Sequence, residues 1–124
     1  MGEYRRTHFF AVADGHGVNG KLVSEYVKTM LAKEVEQSIK FTFDQAKINQ
    51  RVVDSTEVKE QLEKSFNRVT DSLFKSSGIN LRFSGSTCVS VLIVGNKVFC
   101  ANVGDSRATL ARRKEITGAS AGNG

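Results

Sequence analysis

The sequence predicts an α+β domain in which two amphipathic helices cover one face of an antiparallel sheet. Three observations carry that expectation. Phe9–Ala13 and Cys88–Val94 are short, nearly continuous apolar runs rich in β-branched and aromatic residues, which is strand composition. Apolar residues recur every three to four positions over 18–37 and again over 54–73, the spacing of one helical face. Gly95-Asn96 separates two apolar runs by only two residues, a hairpin signal that makes the flanking strands antiparallel. The chain of 124 residues is about one domain's worth.

Composition narrows the class before any motif is weighed. Hydrophobic residues are 40% and charged residues 25%, close to ordinary soluble usage. No apolar run approaches the roughly 20 residues of a membrane helix, and the N-terminal stretch lacks the apolar core of a secretory signal. Arg6 stands where a myristoylation site wants Ser or Thr. A cytoplasmic or nuclear location with no membrane partner is expected. The formal charge of +5 permits attraction to phosphates, but the basic residues are dispersed, with only Arg112, Arg113 and Lys114 adjacent. Without a basic stripe or an aromatic stacking platform, nucleic acid is not an expected partner.

Along the chain, residues 1–7 are polar and read as a lead-in. Phe9–Val12 is apolar on both faces, which predicts an interior strand covered on each side. It stops at Asp14-Gly15-His16-Gly17, so a carboxylate and an imidazole are held just past the end of a buried strand, with glycines allowing a sharp turn. Taken alone these four residues also fit a plain strand-to-helix turn, with Asp as cap and Gly as hinge. Val18, Leu22, Val23, Tyr26, Val27, Met30, Leu31 and Val35 then mark a helix over 18–37. Backbone donors of its first turn lie beside Asp14–His16 and add a mild preference for anions.

Residues 38–54 lack clean periodicity and read as a loop anchored by Phe41 and Phe43. Asp54 with Glu57 resembles a capping box, and Val58, Leu62, Phe66, Val69 and Leu73 form the apolar stripe of a second helix, closed by Gly78 as a left-handed cap. Ser84-Gly-Ser-Thr87 leads into the Cys88–Val94 strand, and Lys97–Val103 returns. A two-residue loop pairs Cys88 with Val103 and Cys100 with Val91, placing the thiols on opposite faces. A three-residue loop puts them on one face but too far along the strands for a disulfide. Both cysteines are expected to be buried and reduced. Asp105, in the turn Gly104-Asp-Ser-Arg107, repeats the Asp14 arrangement, and two carboxylates at strand ends suit a shared cation. Ala108–Arg112 reads as another strand and Lys114–Thr117 as the start of one more. Residues 118–124 read as a small-residue tail after a domain spanning 1–117.

Three blocks in order, Phe9–Gly17, Ser84–Thr87 with its strand, and Ala101-Asn-Val-Gly-Asp-Ser-Arg107, resemble motifs of the metal-dependent serine/threonine protein phosphatases of the 2C type over roughly residues 8–113. The resemblance implies a partial antiparallel β-sandwich with a flanking pair of antiparallel helices, a fragment of an α-β-β-α layered domain. It implies hydrolysis of phosphoserine and phosphothreonine in phosphoprotein substrates with Mg²⁺ or Mn²⁺ as cofactor. Asp14 and the Gly15 carbonyl would be ligands of a two-metal site and Asp105 a ligand of a further metal, since hard cations favour oxygen donors. His16 would be the general acid for the leaving oxygen, with Asp14 as the other catalytic residue.

Departures from the family pattern bear on activity. The phosphate-gripping Arg and acidic residue that the family carries well upstream have no match here, and the later metal-ligating aspartates are missing, with only Glu115 remaining after Asp105. Ala13 replaces the usual aromatic residue. The reading is the front half of a phosphatase domain whose few carboxylates cannot offset the repulsion of two dications, so weak or absent metal binding is expected. A catalytically inactive fragment serving as a binding or regulatory module is the alternative. Open sheet edges predict self-association or capture of a partner.

Overall fold

The computed structural model describes residues 6–115. Its strands are β1 (Thr7–Val12), β2 (Gly15–His16), β3 (Gly85–Ser86), β4 (Cys88–Val94) and β5 (Lys97–Val103), and its helices α1 (Gly20–Ile48) and α2 (Ser55–Ser76). β4 is central in a three-stranded antiparallel sheet of order β1-β4-β5, while β2 pairs with β3. The hairpin pairs Cys88 with Val103 and Cys100 with Val91, as the two-residue turn requires. Gly95 has φ +61° and Asn96 does not share its positive φ, which fits a turn with glycine at the first central position.

Strand alternation sorts the sheet into two unlike faces. One carries the rows Phe9, Leu92, Phe99 and Ala11, Ser90, Ala101. Leu92, at the middle of that face, is fully buried. Against it pack Leu31, Val35, Ile39 and Phe43 of α1 with Val58, Leu62 and Val69 of α2, and these form the core. The helices run antiparallel, since Tyr26 meets Ser72, Glu34 meets Arg68 and Ser38 meets Gln61. Buried hydroxyls bond locally: Thr42 donates to the Ser38 carbonyl at 2.8 Å and Ser65 to the Gln61 carbonyl at 2.9 Å.

The opposite face carries His8, Ile93, Val98 and Phe10, Val91, Cys100 and is turned away from the helices: Phe10, Val98 and Cys100 are exposed, Val91 and Ile93 are half-buried, and Val89 beside Val12 is buried. Phe10 and Val12 are 61% and 65% exposed, so β1 is not covered on both sides as its composition predicts. The described residues contribute one three-stranded sheet with both helices on one side of it. Cys88 is buried and Cys100 exposed; both are free thiols, so the expected reduction stands and the expected burial of Cys100 does not.

Two other expectations are corrected. The first helix does not end at 37 but continues to Ile48. Buried Ile39, Thr42, Phe43 and Ala46 continue the stripe of Leu31 and Val35, carried partly by Thr and Ala, while exposed Phe41 disguises it. The helix stops where Gln50 takes φ +53° and the Arg51 N–H reaches back to the Ala46 carbonyl at 2.9 Å. Ala108–Arg112 forms no strand. Leu110 is exposed there, and without a neighbouring strand to take its backbone groups an apolar run of this length stays irregular. Of Lys114–Thr117, residues 114–115 are likewise irregular; 116–117, the tail at 118–124 and lead-in residues 1–5 lie outside the described residues.

Candidate functional site

Past the end of β1 the chain keeps its register against the β3–β4 segment: Val12 faces Val89, Gly15 faces Ser86 and His16 faces Gly85. Asp14 therefore stands opposite Thr87. The Thr87 N–H donates to the Asp14 carbonyl at 3.0 Å, and the Asp14 N–H donates to the Thr87 hydroxyl at 3.2 Å. This short two-stranded extension, absent from the sequence reading, aims Asp14 and His16.

The turn after it is folded tightly enough to exclude side chains. A Cβ on Gly15 would fall 2.1 Å from the Gly20 carbonyl oxygen, and one on Gly17, which has φ +85°, would fall 2.0 Å from the Phe83 carbonyl oxygen. Gly15 is thus required for space, and Gly17 for both space and backbone conformation. Asn19 precedes α1 without a side-chain cap; its N–H donates to the Ser84 hydroxyl at 2.8 Å and its side-chain amide to the Asn80 carbonyl at 2.9 Å. The segment leading to β3 thereby holds the turn that carries the candidate residues.

The His16 imidazole lies over Gly85, whose missing Cβ would fall 2.9 Å from Nε2. His16 is exposed to solvent. Asp14 and Asp105 are also exposed. The Asp105 turn is closed by the Asn102 amide donating to the Ser106 carbonyl at 2.6 Å, with Gly104 at φ +101°. Ser106 in turn shares a 2.6 Å hydrogen bond with the Thr87 hydroxyl. The Asp14 nitrogen and the Ser106 hydroxyl contact the same oxygen, so the two acidic turns adjoin on one side of the molecule.

As a metal centre the site is incomplete. Among the described residues no three His, Cys, Asp or Glu side chains come together in a way that could hold a cation. Two exposed carboxylates and a backbone carbonyl do not amount to the donor set that two hard dications require. Sequence reasoning placed Ser84–Thr87 only as the lead into a strand; the register that sets them opposite the Asp14 turn cannot be read from a single sequence.

The family model described as protein phosphatase 2C matches residues 1–120. The chain is 38% identical over 104 residues to Probable protein phosphatase 2C 35 of Arabidopsis thaliana, an alignment covering 84% of this chain and 26% of that protein. It is 36% identical over 103 residues to Probable protein phosphatase 2C 45 of Oryza sativa subsp. japonica, covering 83% of this chain and 31% of the relative. It is 32% identical to Probable protein phosphatase 2C 67 of the same rice over 117 residues, 94% of this chain and 29% of the relative. The chain belongs to the protein phosphatase 2C family. It spans less than a third of the length of these relatives.

Proposed function

We propose that these residues form the front part of a phosphatase domain that hydrolyses phosphoserine and phosphothreonine esters in proteins, and that the chain by itself is weakly active or inactive. The observation that carries the reading is the meeting of the Asp14 and Asp105 turns at Thr87 in a chain of this family. Asp14, the Gly15 carbonyl and Asp105 would contribute oxygen donors toward Mg²⁺ or Mn²⁺, the remaining donors coming from outside these residues. His16, resting on Gly85 with its ring open to solvent, is the candidate proton donor to the leaving oxygen. A cytoplasmic or nuclear location belongs to the same proposal; no described helix is long and apolar enough to cross a membrane.

The incomplete donor set favours a second reading, a phosphatase-like module that binds a partner or another copy without turnover. The uncovered sheet face, with Phe10, Val91, Ile93 and Val98, supports self-association in either case. Hydrolysis of an aryl phosphate with and without Mn²⁺, by the chain and by Asp14→Ala, separates the two. Mn²⁺-dependent turnover abolished by the substitution supports the enzyme. A rate indistinguishable from the Asp14→Ala background under all conditions leaves the binding module.

A further inference from the structure

The ladder from Thr7 opposite Val94 to His16 opposite Gly85 keeps one register, and Asp14 and Thr87 face each other where it is interrupted. In a hydrogen-bonded antiparallel pair, two facing residues exchange both backbone bonds. Here only one of them is a backbone bond, from the Thr87 N–H to the Asp14 carbonyl. The Asp14 N–H goes instead to the Thr87 hydroxyl, and the Thr87 carbonyl accepts from the Ser86 hydroxyl at 2.8 Å.

A hydroxyl thus takes a carbonyl's place in the ladder. A carbonyl can only accept, whereas a hydroxyl has both a proton and lone pairs and can serve two partners in both senses. Its second partner is Ser106, immediately after Asp105. The rest of the side chain grips the same turn, since a Cβ on Gly104 would fall 2.7 Å from the Thr87 methyl. One half-buried residue therefore holds the Asp14 turn by its hydroxyl and the Asp105 turn by hydroxyl and methyl together.

We propose that Thr87 is a positioning residue that couples the two acidic turns, so that Asp14 and Asp105 meet a common ligand in a fixed mutual arrangement. What that arrangement serves rests on the phosphatase reading; the coupling itself does not. Thr87→Val keeps the branched shape and removes the hydroxyl, whereas Thr87→Ser keeps the hydroxyl and removes the methyl.

The test reads backbone amide resonances of the full chain by NMR with no metal added. Ser106→Ala is expected to shift the Asp14 amide in the native background and in Thr87→Ser, and to shift it about fivefold less in Thr87→Val. Unchanged amides of Leu31 and Leu62 check the fold. An Asp14 response to Ser106→Ala as large with Val at position 87 as with Thr overturns the proposal. So does a native chain whose Asp14 amide ignores Ser106→Ala, which decides the matter even where Thr87→Val does not fold. Because no metal or substrate enters, coupling without turnover retains this inference and removes only the catalytic reading.

Discussion

His16 rests on the one residue type that leaves its ring room. Because the Cβ of an alanine at 85 would overlap the imidazole, and a side chain is the softer partner, the ring and not the backbone would move. Gly85→Ala is therefore expected to shift the His16 ring proton resonances while leaving the helix amides in place. On the phosphatase reading it would also lower turnover of esters with poor leaving groups more than that of aryl phosphates, since general acid catalysis depends on placing the proton within hydrogen-bond reach of the leaving oxygen. Ring resonances identical to those of the native chain would remove Gly85 from the site. The glycines of Asp14-Gly-His-Gly were legible as turn formers, but Gly15 needs room against Gly20 and only Gly17 needs a positive φ. A single sequence distinguishes the two poorly, because close approach is a property of the opposing chain.

At the scale of the elements, the start of α2 departs from a full capping box. Asp54 accepts from the Glu57 N–H at 2.9 Å, but the Glu57 carboxylate is taken by Arg51 in a bidentate pair at 2.8 Å. Hydrogen bonds from Arg51 hold Glu57 below the usual carboxylate range, against the opposing effects of burial and nearby Asp54. A depressed folded-state pKa contributes stability that is complete above the unfolded glutamate's value of about 4.3 and is lost as pH falls through the lower folded value. The urea midpoint of the native chain should exceed that of Glu57→Gln at neutral pH by a small margin, because solvent reaches both side chains. That margin should close in acid; one that persists unchanged there would exclude the linkage. The sheet offers a second test. Burial pushes the Cys88 thiol up, whereas Cys100 lies open on the uncovered face. A thiol reagent at neutral pH is expected to react at once with Cys100 and with Cys88 only on unfolding. Cys100→Ser should erase the fast phase.

For the whole molecule the decisive feature is the asymmetry of the sheet. One side is sealed by α1 and α2 around Leu92, and the other presents exposed Phe10 and Val98 beside half-buried Val91 and Ile93 among the described residues. A contiguous apolar surface of this kind favours association, and the same face carries a reporter in Cys100. Sedimentation is expected to show association increasing with concentration, with Cys100 becoming slower to react as it does so. Phe10→Lys with Val98→Lys should return the chain to a monomer without altering the α1 and α2 amides. A native chain that stays monomeric over the concentrations at which Cys100 is followed would exclude self-association by this face. The proposal of weak metal binding belongs to this scale as well: the carboxylates are arranged locally, but no group of three ligating side chains gathers among the described residues to offset the repulsion of two dications.

Local chemistry settled much of this protein from sequence alone. The α+β class, the hairpin at Gly95-Asn96, the cap at Asp54 and the two acidic turns follow from periodicity, turn residues and spacing, which act over a few neighbouring positions, whereas the choice between a two- and a three-residue loop came from the structure. The continuation of α1 to Ile48 was present but disguised, because Thr42 and Ala46 carry a buried stripe without being strongly apolar. Tertiary structure alone decided which sheet face the helices cover, that 108–112 finds no strand partner, and that the turns carrying Asp14 and Asp105 meet at Thr87. Each of these depends on groups 19 to 73 positions apart or on a surface being met by another, and such encounters are set by packing and register, not by the propensity of any one segment.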